Sequence, residues 1–279
     1  MTGPWIVRPI RRGVPLAKRP AAAQGGGMTS YDALSSRTAV VTGAASGMGA
    51  ATAKLLAASG ARVALLARRT EVLAGIADTI GDRALPVTVD ITNQAAVDQA
   101  VGIIHDTFGR VDLVVNAAGV MLPNPIADGR DDEWRRMIDT NLSGTLRIIR
   151  ALTPDLVVAA AEGATADLVI VSSVGAHLVL PEYAVYRATK AALTHLSASL
   201  RPELGPLDVR VTNIEPGLTR TELGNHIDNA RHSDQLASTF DALGGLEPDE
   251  IADLVGYVAS RPRHVNLRQL IVVPTRQPS

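Results

Sequence analysis

Tyr186 and Lys190 stand four residues apart in the stretch Tyr186-Arg-Ala-Thr-Lys190. In a helix this spacing puts both on one face. A cation beside a phenol favours the phenolate: one charge at about 4 Å and an effective dielectric of about 20 is worth roughly 4 kcal/mol, or about three pKa units. A phenol brought from about 10 towards neutrality can exchange protons with a substrate. The pair by itself recurs by chance and as surface pairing. Here Ser173 lies thirteen residues upstream, at the end of the apolar run Asp167-Leu-Val-Ile-Val-Ser-Ser173. A glycine-rich loop near the start of the domain completes the set.

That loop, Thr42-Gly-Ala-Ala-Ser-Gly-Met-Gly49, follows an apolar run and precedes the helical Ala50–Ala58. Glycines at 43, 47 and 49 let backbone turn tightly and approach a pyrophosphate, with the free N–H groups of a helix N-terminus behind them. A plain turn is the other reading. After the second apolar run comes Leu65-Leu-Ala-Arg-Arg69. An acid there would accept from a ribose 2′-hydroxyl, whereas a cation suits a 2′-phosphate. Arg68, with Arg69 beside it, points to NADP; two solvated arginines opening a helix are the alternative. Asp90-Ile91 closes the third run, where the carboxylate could accept from an adenine amino group or cap the helix starting near Asn93. Asn116-Ala-Ala-Gly119 ends the fourth, its small residues admitting a cofactor or making a tight turn. Asn141 is mildly unfavourable inside a helical stretch and could mark a local break whose carbonyl holds water.

Seven short apolar runs would carry these residues: Thr38–Thr42, Arg62–Leu66, Leu85–Val89, Val111–Asn116, Asp167–Ser172, Val209–Ile214 and Gln269–Val273. Helical patterns separate them. In Asn93–Gly109, Val97, Val101, Ile104 and Phe108 recur at helical spacing and Gly109 stops the helix. The alternation predicts an α/β fold: a doubly wound, mostly parallel seven-stranded Rossmann sheet with helices on both faces. The 279 residues, 46% hydrophobic, suit one such domain over 35–279. Leu218–Gly245 breaks the pattern and reads as a mobile lid. Residues 1–34 read as a disordered extension, basic over 1–27, with Met28 a natural start for the folded part. A net charge of −1 gives no global argument for nucleic acid, and no apolar run could span a bilayer. There is no cysteine, hence no disulfide or catalytic thiol, and the six histidines lack metal spacing. The expected location is the cytoplasm.

From about 36 to 277 the chain resembles a short-chain dehydrogenase/reductase of the shorter, single-domain branch. The matching pieces are Thr42-Gly-x-x-x-Gly-x-Gly49, Asp90, Asn116-Ala-Ala-Gly119, Asn141, Ser173, Tyr186-x-x-x-Lys190 and Pro216-Gly-Leu-Thr-Arg-Thr221, all in family order. The tail from Arg261 to Gln277 resembles bacterial members described as NADP-dependent 3-hydroxy acid or serine dehydrogenases. The resemblance implies reversible reduction of a ketone or other carbonyl to a secondary alcohol. Tyr186 would be the general acid, Lys190 would lower its pKa and bind the nicotinamide ribose, Ser173 would bond the substrate oxygen, and Asn141 would link Lys190 to solvent. The thirteen-residue spacing favours Ser173 over Ser172. Thr42, Gly43, Ser46, Gly47, Met48, Gly49, Arg68, Arg69, Asp90, Ile91, Asn116, Ala117, Ala118 and Gly119 would hold the cofactor with Tyr186 and Lys190. Pro216, Gly217, Leu218, Thr219 and Thr221 would hold its carboxamide end. Met121, His177 and Tyr183 would line the substrate pocket; Tyr183 is also a rival for Tyr186, with Arg187 four residues on. A homodimer or homotetramer is implied, through the helices near Asp131–Ala160 and Tyr183–Leu204, where Leu193, Leu196 and Leu200 exceed what one buried face needs. An NAD-linked alcohol dehydrogenase and a non-catalytic dinucleotide sensor are the alternatives; a sensor needs none of the four catalytic residues.

Overall fold

A computed structural model describes residues 31–278. Seven strands form one parallel sheet in the order β3-β2-β1-β4-β5-β6-β7. They are β1 (Thr38–Thr42), β2 (Arg62–Ala67), β3 (Ala84–Thr88), β4 (Leu113–Asn116), β5 (Ala166–Val171), β6 (Val209–Pro216) and β7 (Gln269–Val272). All seven expected strands are present. The helices are α1 (Gly47–Ala58), α2 (Thr70–Ile80), α3 (Gln94–Phe108), α4 (Asp131–Met137), α5 (Thr145–Ala161), α6 (Ala184–Leu204), α7 (Ala230–Leu243) and α8 (Pro248–Ala259). Among the described residues no helix is long and apolar enough to cross a membrane.

Side chains alternate across each strand, so the sheet builds two cores. Ala39, Val41, Val63 and Leu65 face α1, α2 and α8. Val40, Ala64, Val114 and Leu168 face α3, α5 and α6. The strand order reverses between β1 and β4, whose last residues, Thr42 and Asn116, pair with each other. In such sheets ligands bind in the crevice at this switch point, beyond the carboxyl ends of the strands.

The opposite, amino-terminal edge is closed by buried ions. Asp167 takes Arg210 through two bonds of 2.7 and 2.8 Å and Arg37 through one of 2.9 Å. Arg37 also bonds Asp112 at 2.6 Å. Both guanidiniums then donate to the Ala259 carbonyl at the end of α8, where cations favour the helix dipole.

Two expectations need correction. Leu218–Gly245 is not a break in the helical pattern: it holds a short 3-10 turn, Glu222–His226, and the amphipathic α7. Its surface is polar because it covers a cleft and little core. The folded unit also starts earlier than residue 35. Tyr31 Oη donates to Asp253 Oδ1 at 2.8 Å, its N–H to Ser59 Oγ at 3.1 Å, and Leu34 is completely buried. The rest of the expected extension, 1–30, lies outside the described residues. Removing residues 1–30 should leave urea-unfolding stability unchanged, while removing 1–34 should cost about 2–5 kcal/mol through loss of the Leu34 side chain. Equal stabilities of the two shortened chains would contradict this assignment.

Candidate active site

Three adjoining cavities run along the carboxyl edge of the sheet. The middle one, about 120 Å³, is lined by Gly43, Ser46–Gly49, Ala117–Gly119, Tyr186 and Lys190, with Thr221 opposite. Towards β2 and β3 it meets a cavity of about 150 Å³ bearing Arg68, Arg69, Asp90 and Ile91. In the other direction lies a cavity of about 220 Å³ with Ser173, Tyr186, Met121, Tyr183 and the segment Pro216–Thr219. The sequence-expected residues thus meet in one cleft, except Thr42, Asn116, His177 and the completely buried Asn141. Thr42 and Asn116 stand behind its wall. Thr42 Oγ1 accepts the N–H groups of Ala117 and Ala118, each at 3.1 Å, and so shapes the turn that lines the cleft. The amide of Asn116 is buried with neither polar atom partnered among the described residues.

His177 is the third exception. Its ring turns away from the substrate cavity, and Nε2 lies 2.8 Å from Glu215 Oε2. Glu215 is completely buried and gathers further donors from Thr194, Asn213 and Gln269. A buried carboxylate needs such partners, and the histidine is drawn to it. Sequence reasoning missed Glu215, since its donors come from four separate places in the chain. It also missed Gln277, whose Oε1 accepts Leu218 N–H at 2.8 Å and fixes the segment after β6. A Cβ on Gly217 would sit 2.5 Å from that oxygen, so a larger residue there would displace the Gln277 side chain.

The glycine loop fits an anion. Gly43 has φ +69°, and a Cβ on it would meet Ala118 Cα at 2.9 Å. Ser46 is the N-cap of α1, yet its side chain makes no capping bond. The first-turn N–H groups therefore remain available beside the cleft, as a pyrophosphate requires. At the next cavity Asp90 Oδ1 accepts from Thr92 N–H and hydroxyl at 2.9 and 2.8 Å. The cap of α3 is instead Asn93, which accepts from Ala96 N–H. Burial raises the Asp90 carboxyl, but the Thr92 bonds with the charges of Arg68 and Arg147 bring it below its ordinary value. Arg69 is engaged by Glu222 at 2.9 Å and by the Ala45 carbonyl. Arg68 has no ion pair or hydrogen bond among the described residues. His226 lines both cavities. Burial, then the charges of Arg136, Arg68 and Arg69, hold its imidazole below the usual range. Arg136 and His226 carried no sequence signal.

Asn141 sits in a π-helical turn, Ile138–Gly144, between α4 and α5, the local break that its type suggested. Its side chain accepts Val120 N–H at 2.8 Å and donates to Val120 O and Thr189 Oγ1 at 2.9 and 3.1 Å. Its own carbonyl accepts from Thr145 Oγ1. Asn141 and Lys190 approach the same point, for a Cβ on Gly119 would lie 3.4 Å from Asn141 Oδ1 and 3.7 Å from Lys190 Nζ.

Tyr186, Lys190 and Ser173 occupy the junction of the middle and substrate cavities. Ser173 caps a short turn through Gly175 N–H at 3.0 Å, and Ser172, the neighbouring candidate, is tied instead to the Lys190 carbonyl and Thr194. Burial pushes the Tyr186 phenol up to about 12, with the Ser173 hydrogen bond and the Arg187 charge pulling the other way. Lys190 does not supply the offset expected of it. Its Nζ lies 5.8 Å from the Tyr186 ring centroid and donates to the Val171 carbonyl at 3.1 Å. Burial lowers the ammonium to about 8. Exclusion of water dominates both groups. The arrangement offers a hydroxyl donor, a phenolic proton and a cation around one open space, the set needed to move a proton to or from a substrate oxygen.

A family model described as short chain dehydrogenase matches residues 37–232. The chain belongs to that family, and its fold is one that binds a nicotinamide dinucleotide. An uncharacterized oxidoreductase of Staphylococcus aureus (strain USA300) is 36% identical over 245 residues, covering 86% of this chain and 98% of that protein. One from Staphylococcus haemolyticus is 36% identical over 242 residues, with the same coverage. Among solved structures, the closed form of serine dehydrogenase complexed with NADP+ superposes with a TM-score of 0.81 at 29% identity, covering 87% of this chain and 96% of that one. A 3-ketoacyl-(acyl-carrier-protein) reductase from Brucella melitensis complexed with NADH gives 0.79 at 30% identity, covering 87% and 99%.

The Lys190 ammonium has a stability signature. Its folded value of about 8 lies below its ordinary value of 10.5. Between those limits the unfolded chain holds the extra proton, so this residue's contribution to stability rises with pH. Urea unfolding of wild type and Lys190→Met at pH 7 and pH 10 isolates it. Wild type should gain roughly 2 kcal/mol on the variant across that interval; a constant difference would show that Lys190 is not desolvated as described.

Proposed function

We propose that the protein is an NADP(H)-dependent oxidoreductase that interconverts a carbonyl compound and a secondary alcohol. The observation that carries this reading is the convergence of Ser173, Tyr186 and Lys190 where the cofactor-sized cleft opens into the substrate cavity. A bound nicotinamide dinucleotide would deliver the hydride to the carbonyl carbon, or take it in reverse. Ser173 Oγ donates to the substrate oxygen and stabilises the charge that develops there. Tyr186 Oη gives its proton to that oxygen on reduction and takes it back on oxidation. Lys190 holds the ribose hydroxyls. Asn141 fixes the wall opposite and links the Lys190 side of the site to solvent. The first turn of α1 holds the pyrophosphate, and Pro216–Thr219 with Thr221 holds the carboxamide.

NADP is favoured over NAD by charge at the adenosine end. Arg68 is without an acid partner among the described residues, and Arg136 reinforces it at His226. A guanidinium fork suits a phosphate better than a hydroxyl. The same reading has the protein work in the cytoplasm as a homodimer or homotetramer, packed through α5 and α6. Leu146 and Val158 of α5 are each about 40% exposed, which supports it. Leu193, Leu196 and Leu200 do not, because they pack into the core beneath α6.

Tyr186→Phe should leave the fold intact and lower turnover by about 10²–10⁴. Near-normal turnover, measured by NADPH oxidation against a panel of carbonyl compounds, would hand the role to Tyr183. Arg68→Ala should weaken NADPH about ten- to a hundredfold and hardly change NADH. Fluorescence titration with both cofactors tests this, and equal losses would remove the 2′-phosphate assignment.

A further inference from the structure

The turn Glu222–His226 crosses the cofactor cleft as a strap anchored at both ends. At its start Thr221 stands against the glycine loop, where a Cβ on Gly47 would meet Thr221 Cβ at 3.0 Å. Glu222 takes Arg69 at 2.9 Å, and Arg69 donates in turn to the Ala45 carbonyl of that loop. Beyond its far end Ile227 is buried, Asp228 pairs with Arg130 at 2.9 Å, and Asn229 Nδ2 donates to Asn124 Oδ1 at 3.0 Å. Held in this way, His226 lines both the middle cavity and the one that bears Arg68. Gly43, Ser46, Ala118 and Gly119 are the other residues common to the two. The boundary between the cavities is thus made by the glycine loop, the turn after β4 and this histidine.

The charges that reach His226 are mostly positive. After burial, Arg136 of α4 and then Arg68 and Arg69 beyond β2 push the imidazole down, while Glu222 of its own turn pulls it up. Asp90 lines the cavity on one side, and Tyr186 and Lys190 of α6 line the one on the other. Both nearby carboxylates are already engaged, Glu222 by Arg69 and Asp90 by Thr92. An anion placed at this boundary offsets the repulsion among the cations and favours the imidazolium.

We infer that His226 is the ligand of the cofactor's diphosphate on the side of the cleft opposite the glycine loop, and that a dinucleotide binds with uptake of a proton there. This rests on the dinucleotide-binding reading above. The glycine loop supplies the free first-turn N–H groups of α1 on one side of the boundary. The imidazolium supplies an N–H from the other, as a charge-assisted bond to a phosphate oxygen. The proton comes from solvent and no covalent bond changes. Arg68 lines only the adenosine-side cavity, which suits it to a 2′-phosphate, whereas His226 stands at the junction that both cofactors must cross.

The test titrates NADH and NADPH by fluorescence from pH 6 to pH 8.5 against wild type, His226→Gln and His226→Lys. Calorimetry of NADH binding at pH 6.5, in buffers of different ionisation enthalpy, counts the protons taken up. Wild-type affinity for NADH should fall about three- to tenfold across the range, the exposed position of the ring reducing what a charge-assisted bond gives. NADH has no phosphate that titrates there, so the slope belongs to the protein. His226→Gln should lose both the slope and the proton uptake and bind at pH 6 as weakly as wild type does at pH 8.5. His226→Lys should keep the stronger binding throughout. A loss in His226→Gln that is equal at every pH would make the residue a structural part of the strap and overturn the proposal. A wild type without slope would overturn it too, as would an effect confined to NADPH, which hands the imidazole to the 2′-phosphate. In these three cases the dinucleotide-binding reading stands. If wild type binds neither cofactor at any pH, that reading falls and the diphosphate ligand falls with it.

Discussion

One buried amide holds the site together. The Asn141 side chain grips both polar backbone atoms of Val120, beyond the end of β4, and the hydroxyl of Thr189 in α6. Three elements from distant parts of the chain are thereby fixed against each other. Thr189 precedes Lys190, and Val120 follows the Ala117–Gly119 turn, so both walls of the middle cavity take their positions from the same side chain. Without it, Val120 would bury an unpaired donor and acceptor, each costing about 1–3 kcal/mol. The π-helical turn is the local distortion that aims the amide at these partners. Such turns are rare in regular helices and are tolerated where they place a group that regular geometry cannot.

The two edges of the sheet treat charge in opposite ways. At the amino-terminal edge Arg37, Asp167 and Arg210 are buried, Asp112 is half-buried, and the four are engaged with one another and with helix-end carbonyls. At the carboxyl edge exposed Arg68 and half-buried Arg187 have no ion pair among the described residues, and buried Lys190 has only the carbonyl of Val171. Buried charge without a partner is unfavourable in a folded chain. Of these three only Lys190 is buried, so that cost falls on one residue in the wall of the middle cavity.

Much of this was legible in the sequence. The five inner strands announced themselves because each is buried on both faces and reads as a nearly continuous apolar run, whereas the edge strands β3 and β7 are partly exposed. The glycine loop, Asn116–Gly119 and the Ser173, Tyr186 and Lys190 set sit at strand ends or on one helix face, so local spacing places them. What escaped depends on contacts between distant residues. Tyr31 looks like part of a tail until it meets Asp253, more than two hundred residues away. Glu215 and His177 each look unremarkable alone. The helix α7 was hidden by its polarity, having little core to cover.

That polarity has an evolutionary consequence. Of the α7 side chains described, only His232 is buried, beside Glu182 and edge-on to Tyr183, while Leu236 and Phe240 face the substrate cavity. Further latches, Asn229 to Asn124 and Asp228 to Arg130, are polar and peripheral. Substitutions along this helix therefore reshape the space offered to a substrate without disturbing either core. A lineage can drift in what this cavity accepts while the sheet and the residues at the cavity junction stay unchanged, so chains alike in the sheet can diverge in what they accept.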